Sequence, residues 1–182
     1  YIPKSNGKMR PLGIPSFDDK LIQEVVRLIL ESIYEPTFSD YSHGFRINRS
    51  CHTALKYVQK YFTGTKWFVE GDIKGCFDNI NHRLLLKKLW RIGIHDKRVL
   101  KIISQMLKAG YIDQDLYHAT EMGTPQGGIL SPLLSNVYLN DFDWYVGRCY
   151  MEPHRQCKHK CNDTRRLKWS GITPKIQFSL CG

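Results

Sequence analysis

One stretch, residues 67–82, constrains the fold more than any other, because its backbone period changes within a short segment. Its first half alternates with the period of two that separates the faces of a strand, and this strand would end at Asp72. The chain then turns through Gly75, and Asn81 is typical of the N-cap of a helix that ends at Gly93. The stretch therefore predicts a strand, a tight turn and a helix in succession.

The carboxylate of Asp72 has two interpretations on the residues alone. A hard cation such as Mg²⁺ takes one or two carboxylates together with phosphate oxygens, and open backbone beside the turn suits such an ion. Aspartate is also common in turns, where its side chain caps the backbone. Asp72 is therefore either a metal ligand or a turn cap.

A second stretch, residues 123–136, is a glycine-rich loop that leads into a helix. Gly127 and Gly128 lie in the loop, Ser131 is the expected N-cap, and Pro132 is the expected first helical residue. The fixed φ of proline suits the first turn of a helix. The stretch therefore predicts a loop held directly at a helix N-terminus.

Together the two stretches resemble motifs A and B of the reverse transcriptases that group II introns encode. The first contains Phe-Asp-Asn-Ile-Asn-His, and the second contains Gly-Thr-Pro-Gln-Gly-Gly-Ile-Leu-Ser-Pro-Leu-Leu. The resemblance covers residues 1–146 and implies an α+β fold, with the fingers and partial palm of a right-hand polymerase and helices packed on a small antiparallel sheet. The fingers would span residues 1–65 and the partial palm residues 66–146, followed by a basic irregular tail over residues 147–182.

The resemblance also implies a reaction, template-directed nucleotidyl transfer by an RNA-directed DNA polymerase. Two Mg²⁺ ions would activate the primer 3′-hydroxyl and stabilise the leaving pyrophosphate. Asp72 would bind both ions, and the backbone carbonyl of Ile73 would bind one. Phe77 would lie under the sugar and exclude a 2′-hydroxyl, although it could also be a core residue. Gln126 would line the nucleotide pocket.

Four further residues are expected near the template. Arg46 and Arg49 lie in a loop that resembles the family's second block, which buttresses the fingers close to the template strand. Gly127 and Gly128 would let the backbone approach the template base pair. His43, in the same loop as the two arginines, is expected to be a hydrogen-bonded loop residue rather than a ligand or base.

The N-terminal segment predicts a β-hairpin, because Asn6-Gly7 is a strong signal for a two-residue turn. Such a hairpin places Lys4 and Arg10 on adjacent strands, where both could reach one anion. The alternative is a merely exposed basic hairpin. The resemblance implies that Lys4 and Arg10 hold the incoming deoxynucleoside triphosphate.

Hydrophobic periodicity predicts helices over residues 16–34, 51–62, 82–92, 96–109 and 132–146, with a short hairpin over 111–121. The first helix, capped by Ser16 or Asp18, has an apolar stripe that we expect to be buried. The stripe consists of Leu21, Ile22, Val25, Leu28, Ile29 and Ile33. Leu55 and Phe142 are likewise expected to point inward.

The composition favours a nucleic-acid partner. The chain of 182 residues has 27 Lys and Arg against 17 Asp and Glu, a net charge of +10, although a merely basic surface is the alternative. The expected partners are intron RNA, an RNA template and a DNA primer. No apolar run approaches a membrane span and no signal peptide is visible, so no membrane partner is expected. Six scattered cysteines predict reduced thiols and a cytoplasmic location.

The tail contains His154, Cys157, His159 and Cys161 among several basic residues. Mixed Cys and His side chains could bind Zn²⁺. Their spacing is irregular, however, and the basic neighbours would repel a cation. The alternatives are therefore a zinc site at Cys157 and Cys161 or a flexible basic loop near RNA.

One part of the family pattern is missing. Group II intron reverse transcriptases supply further metal-binding acids from a Tyr-Ala-Asp-Asp hairpin after motif B, and this sequence contains no such motif. The sequence therefore predicts a segment of a reverse transcriptase/maturase that is inactive alone. The alternative is a degenerate, non-catalytic RNA-binding maturase remnant.

Overall fold

The computed structural model describes residues 2–3, 7, 9–10, 13–67, 70–125 and 127–148. In these residues the helices are α1 (Phe17–Tyr34), α2 (Cys51–Tyr61), α3 (His82–Ile92), α4 (Lys97–Lys108) and α5 (Ser131–Val146). Short 3₁₀ helices cover Glu35–Thr37 and Phe77–Asn79. The strands are β1 (Ile2–Pro3), β2 (Met9–Arg10), β3 (Tyr111–Asp113) and β4 (Leu116–His118). The predicted α+β class is confirmed.

The strands form two separate antiparallel pairs among the described residues. In the first pair Ile2 lies opposite Arg10, which confirms an N-terminal hairpin, although the predicted two-residue turn at Asn6-Gly7 would instead place Pro3 opposite Arg10. In the second pair Ile112 lies opposite Tyr117, which confirms the hairpin predicted after α4.

The strand predicted to end at Asp72 is wrong for the residues that the structure describes there. Residue 67 and residues 70–73 have no strand geometry, and residues 68 and 69 lie outside the described part of the chain. A strand is stable only beside a partner that pairs with its backbone groups. The described residues place no strand beside this segment, and residues 67 and 70–73 are exposed.

The chain divides into two compact units, which we describe separately. Unit 1 comprises Tyr1–Pro36 and Asp72–Tyr138, and unit 2 comprises Thr37–Gly71 and the chain from Leu139 onward. The most deeply buried apolar side chains of unit 1 are Leu30, Tyr34, Ile80, Leu85, Leu89, Ile103, Leu134 and Val137. Those of unit 2 are Phe38 and Ala54, together with several buried polar residues.

Helix α1 begins where the sequence predicts but buries a different face. The hydroxyl of Ser16 accepts a hydrogen bond from the Asp19 N–H at 3.2 Å, which confirms the N-cap. The predicted apolar stripe is wrong, because its six side chains are 42–57% exposed. Leu30 and Tyr34 are buried instead, and the Tyr34 hydroxyl donates to the Leu89 carbonyl at 3.4 Å. Contacts of residues on this second face, rather than the apolar stripe, therefore determine which side of α1 packs.

Helix α3 begins at its predicted cap, Asn81, and α4 begins directly after Asp96, the first residue of the predicted helix 96–109. The Asn81 side chain accepts from the Leu84 N–H at 3.0 Å, and the Asp96 carboxylate accepts from the Arg98 N–H at 2.7 Å. The inward orientation predicted for two side chains is wrong, since Leu55 is 63% and Phe142 is 45% exposed. Among the described residues, no helix combines the length and apolar character that a membrane crossing requires.

Candidate functional site

Two backbone hydrogen bonds join the two stretches that the sequence singled out. The Thr124 N–H donates to the Phe77 carbonyl at 2.8 Å, and the Gly123 N–H donates to the Ile80 carbonyl, also at 2.8 Å. All four residues belong to unit 1. We call this contact of residues 77–82 with residues 123–124 the motif junction. It fixes the backbone of one stretch directly against that of the other.

Glycine is required at position 123 of the motif junction. The residue has φ of +84°, where L side chains are strained, and a Cβ atom there would lie 2.8 Å from the carbonyl oxygens of Phe77 and Asp78. Those oxygens belong to backbone, which cannot rotate away as a flexible side chain can. The close approach of the two segments therefore depends on the absence of a side chain at Gly123.

His82 closes the motif junction from the start of α3. Its Nε2 atom lies 2.6 Å from the carbonyl oxygen of Gly123, and the side chain is only 6% exposed. Because a carbonyl oxygen can only accept, Nε2 carries the proton in this hydrogen bond. His82 therefore stabilises the loop by donating to it.

The turn before the motif junction is held by Asn79. Its side-chain amide donates to the carbonyl of Gly75 at 2.8 Å and to that of Lys74 at 3.3 Å. Gly75 itself has φ of +61°, which glycine adopts without strain. The turn leads into the short 3₁₀ helix Phe77–Asn79, in which Phe77 is half-buried.

The glycine-rich loop is tied to both α5 and α1. Ser131 is the first residue of α5 rather than its N-cap as predicted, and its hydroxyl donates to the Pro125 carbonyl at 2.8 Å. The side-chain oxygen of Gln23 accepts from the Ile129 N–H at 2.9 Å. A Cβ atom on Gly128 would lie 2.8 Å from the Ser131 hydroxyl, so a larger residue there would displace the hydroxyl that donates to Pro125. Gly127 has φ of +102° and is exposed.

The predicted metal ligands Asp72 and Ile73 lie outside the motif junction, in the exposed segment of residues 70–75. Within the described residues, the Asp72 carboxylate has no hydrogen-bond or ion-pair partner. In that same part of the chain, no three His, Cys, Asp or Glu side chains lie close enough to hold a metal ion together. Asp72 is an oxygen donor of the type that Mg²⁺ takes, but the described residues do not fit a site for two ions.

The two arginines predicted near the template both contact their own loop in unit 2. The Arg46 guanidinium donates to the carbonyls of Ser39 at 2.6 Å and Ser42 at 2.9 Å. The Arg49 guanidinium donates to the Asp40 carbonyl at 2.6 Å, and its other nitrogen lies 3.3 Å from the Asp40 carboxylate. These contacts give both arginines a role in shaping the loop, and their contact with a template stays a prediction.

Unit 2 also buries two ionisable side chains. The Nδ1 atom of His43 lies 2.9 Å from the Thr53 hydroxyl, which confirms that His43 is a hydrogen-bonded loop residue. Burial lowers the pKa of His43, and the positive charges of Arg49 and Arg46 lower it further. Burial raises the pKa of Asp143 to about 7, although nearby Arg46 opposes this increase. A buried carboxyl with this pKa loses its proton near neutral pH.

Several predicted site residues cannot be located. Lys4 and Gln126 lie outside the described residues, as do Cys157 and Cys161, and only the backbone of Arg10 is described. The triphosphate, nucleotide-pocket and zinc predictions for these residues therefore stay predictions.

Sequence reasoning missed the supporting roles of three side chains. His82 and Asn79 stand within the first stretch, so their place in that motif was a signal, although it did not show what they contact. Gln23 gave no signal, because it is one of several polar residues on a long helix. Its partner, Ile129, is 106 residues away along the chain.

Comparison with known proteins relates most of the chain to one family. The family described as "Reverse transcriptase (RNA-dependent DNA polymerase)" matches residues 2–158. The group II intron-encoded protein LtrA of Lactococcus lactis subsp. cremoris is 59% identical over 157 residues, which cover 86% of this chain and 26% of that protein.

Two further relatives extend the comparison. Protein YkfC of Escherichia coli is 44% identical over 156 residues, covering 83% of this chain and 41% of that protein. Nuclear intron maturase 1, mitochondrial, of Arabidopsis thaliana is 35% identical over 107 residues, covering 57% of this chain and 15% of that protein. The chain thus spans about a quarter of the length of LtrA and less than half the length of each of the other two.

Proposed function

We propose, since this chain belongs to the reverse transcriptase (RNA-dependent DNA polymerase) family, that it is the segment of a group II intron-encoded reverse transcriptase/maturase that positions the nucleotide and template. The motif junction is the observation that carries this proposal. It brings the two family motifs together in one unit through hydrogen bonds of 2.8 Å. A surface that aligns two substrates needs this kind of fixed backbone.

In the reaction, the 3′-hydroxyl oxygen of a DNA primer attacks the α-phosphorus of a deoxynucleoside triphosphate, the hydroxyl proton is lost, and pyrophosphate leaves. Lys4 and Arg10 would bind the triphosphate, and Gln126 would line its pocket. The half-buried ring of Phe77 would lie under the sugar and exclude a 2′-hydroxyl. The family generally uses a divalent metal, and the Asp72 carboxylate and the backbone carbonyl of Ile73 are the ligands that this segment would contribute.

The direct test uses the intact parent protein in primer extension on an RNA template. Asp72→Asn removes the charge of the proposed metal ligand and should reduce extension by about 10³-fold or more, because electrostatic stabilisation in the transition state is lost. Asp115→Asn is the matched control, since Asp115 is exposed, lies in the turn between β3 and β4, and has φ of +61° that asparagine tolerates. Equal activity of the two variants would contradict the role of Asp72.

Phe77 offers a test of substrate choice in the same assay. Phe77→Val should admit ribonucleotides while deoxynucleotide use persists, because a steric clash is removed and no ligand is lost. Unchanged discrimination between ribonucleotides and deoxynucleotides would indicate that Phe77 has a purely structural role.

A second candidate function is RNA binding without catalysis. It is favoured by the lone, exposed carboxylate of Asp72 and by the lack of a three-ligand metal cluster in the described residues. On either candidate function, we expect the 182-residue chain alone to bind structured RNA but not to extend a primer. Extension by this chain that Asp72→Ala abolishes would show that a second carboxylate completes the site.

A further inference from the structure

The helix pair formed by α3 and α4 carries most of the net charge of the chain. Residues 81–110 contain eight Lys and Arg and a single Asp, a net charge of +7, whereas the whole chain has +10. The two helices contact each other within unit 1. A sixth of the sequence therefore accounts for most of its attraction to polyanions.

The basic side chains follow one exposed row on each helix. On α3 the row is Arg83, Lys87 and Arg91, spaced four residues apart, and on α4 it is Lys97, Lys101 and Lys108. Residues spaced by four along a helix share a face, with about 6 Å of rise between them. All six side chains are exposed. The opposite faces bury Leu85 and Leu89 on α3 and Ile103 and Leu107 on α4.

The two rows border one groove. Arg83, near the start of α3, and Lys108, at the end of α4, line the same open groove together with Ser104. Glu121 also lines this groove and contributes one negative charge. The groove therefore brings the first residue of the α3 row and the last residue of the α4 row to one place on the surface. We call this surface, defined by Arg83, Lys87, Arg91, Lys97, Lys101 and Lys108, the basic helix face.

Most charges of the basic helix face are not neutralised by the protein. Arg83, Lys87, Lys97, Lys101 and Lys108 form no ion pair with any residue that the structure describes. By contrast, Lys88 donates to the Tyr138 carbonyl, and Arg98 pairs with Asp96 at 3.2 Å. Like charges four residues apart on a helix destabilise it. A bound polyanion would remove this repulsion.

We propose that the basic helix face binds the phosphate backbone of double-helical RNA, separately from the motif junction, an inference that rests on the proposed function. Packed helices lie about 8–10 Å apart, so the two rows present cations at spacings that can follow two lines of phosphates. Double-helical RNA is recognised mainly through its shape and backbone, without reading of bases. Phosphate contacts of this kind fix the position and orientation of a protein on a nucleic acid.

A membrane surface fits these observations less well. An amphipathic helix that lies on lipid needs an apolar face to insert beneath its basic residues. The buried apolar residues of α3 and α4 pack inside unit 1, and the exposed large apolar side chains on these two helices are three separate residues, Leu84, Trp90 and Ile102. The basic helix face therefore offers charge without a continuous apolar surface for insertion.

The test measures binding of the whole 182-residue chain to an RNA hairpin with a long perfect stem, by fluorescence anisotropy from 50 to 300 mM KCl. The test variant carries Arg83→Gln, Lys87→Gln and Lys101→Gln. The control variant carries Lys20→Gln, Lys56→Gln and Lys66→Gln, three exposed lysines elsewhere in the chain, so both variants lose three charges. A rescue variant with Arg83→Lys, Lys87→Arg and Lys101→Arg keeps the charges.

The slope of log Kd against log salt should fall by about 2–3 in the test variant, with Kd weakened on the order of tenfold or more, because each phosphate contact releases about one counterion. The control and rescue variants should bind like the wild type. Equal weakening of the test and control variants would overturn the basic helix face, as would tighter binding to phosphatidylserine vesicles or duplex DNA than to the RNA. If the test variant unfolds, the three single substitutions are measured instead. Each should weaken RNA binding more than the single substitutions of the control lysines, and equal weakening would overturn the basic helix face.

This result is separable from that of the proposed function. A parent protein that extends primers while the test and control variants bind RNA equally would overturn the basic helix face alone. A parent protein that loses nothing with Asp72→Asn, while the test variant binds RNA poorly, would contradict the polymerase role alone.

Discussion

Residues 77–82 of the motif junction and the segment of residues 70–75 belong to the same stretch of sequence, but they differ in how their backbone groups are paired. In the junction, backbone groups of residues 77–82 are paired with those of residues 123–124 at 2.8 Å. In the segment, Gly71, Asp72 and Ile73 are exposed and have no strand partner among the described residues. The described residues therefore fix the backbone of the proposed site. They provide no hydrogen-bond or ion-pair partner for the carboxylate of Asp72, the proposed metal ligand.

The difference shows that two properties of the sequence motif, substrate positioning and metal binding, have separate structural requirements. Positioning depends on close packing of backbone, which glycine and buried hydrogen bonds supply locally. Metal binding needs several oxygen ligands at one point, and one carboxylate cannot provide them. A segment of this family can therefore keep an ordered backbone junction while its described residues hold no three-ligand metal site.

The largest expected effect comes from comparing the same type of substitution, Gly→Ala, in each of the two regions. Gly123→Ala places a Cβ atom 2.8 Å from two backbone oxygens at a positive φ, whereas a Cβ atom on Gly71 meets nothing within 4 Å. Gly123→Ala should therefore lower the free energy of unfolding by about 4 kcal/mol or more, and Gly71→Ala should change it by less than about 0.5 kcal/mol. Urea denaturation of both variants measures the difference. Similar losses would mean that the junction is no better packed than the open segment.

The pH dependence of stability distinguishes unit 2 from the junction. The pKa of Asp143 is raised by burial from 3.8 to about 7 in the folded chain, so folding favours its protonated form. Its contribution to stability is therefore present at about pH 4 and is lost as the pH rises through about 7. This loss amounts to at most about 4 kcal/mol, since each pKa unit corresponds to about 1.4 kcal/mol.

Asp143→Asn should remove this pH dependence, while Asp115→Asn, at an exposed turn position, should keep it. Denaturation between pH 4.5 and 7.5 provides the comparison. Parallel curves for the wild type and Asp143→Asn would show that Asp143 is not the group that titrates.

Two leucines on α1 allow a direct comparison of a buried and an exposed side chain on one helix. Leu30 is 1% exposed and Leu28 is 51% exposed, although the sequence predicts burial of Leu28. Leu30→Ala should lower the free energy of unfolding by about 3 kcal/mol, because it leaves a cavity, and Leu28→Ala by less than about 1 kcal/mol. A larger loss of free energy of unfolding for Leu28→Ala than for Leu30→Ala would indicate that the predicted apolar stripe is the packed face of α1.

The smallest effect concerns the hydrogen bond that closes the junction. His82→Ala leaves the buried Gly123 carbonyl without its donor and should cost about 1–3 kcal/mol of stability. His52→Ala, at an exposed position of α2, should be nearly neutral. Equal effects in thermal unfolding would indicate that His82 contributes only its volume.

The sequence predicted much of the local structure because local contacts determine it. Asn81 and Asp96 cap their helices with their own first turns, so the residue type and spacing were sufficient. The packed face of α1 was missed because Gln23 and Tyr34 contact residues far along the chain, Ile129 and Leu89. The predicted strand ending at Asp72 failed for a related reason, since pairing depends on a partner that periodicity does not reveal.

The same reasoning applies to the candidate site. The family motifs identified the two stretches that meet in the junction, but they did not show that Gly123 and His82 make the contact. Charge counting predicted an RNA partner, and the family resemblance pointed to Arg46 and Arg49. It could not show that both guanidinium groups donate to carbonyls of their own loop.

Amide hydrogen exchange of the 182-residue chain tests most directly whether the junction is ordered while the segment of residues 70–75 is open. The amides of Gly123 and Thr124 donate to the carbonyls of Ile80 and Phe77, so they should exchange only on global or large-scale opening. The amides of Gly71, Asp72 and Ile73 should exchange close to the rate of an unfolded chain. Comparable protection of both groups, or fast exchange at Gly123 and Thr124, would contradict the account.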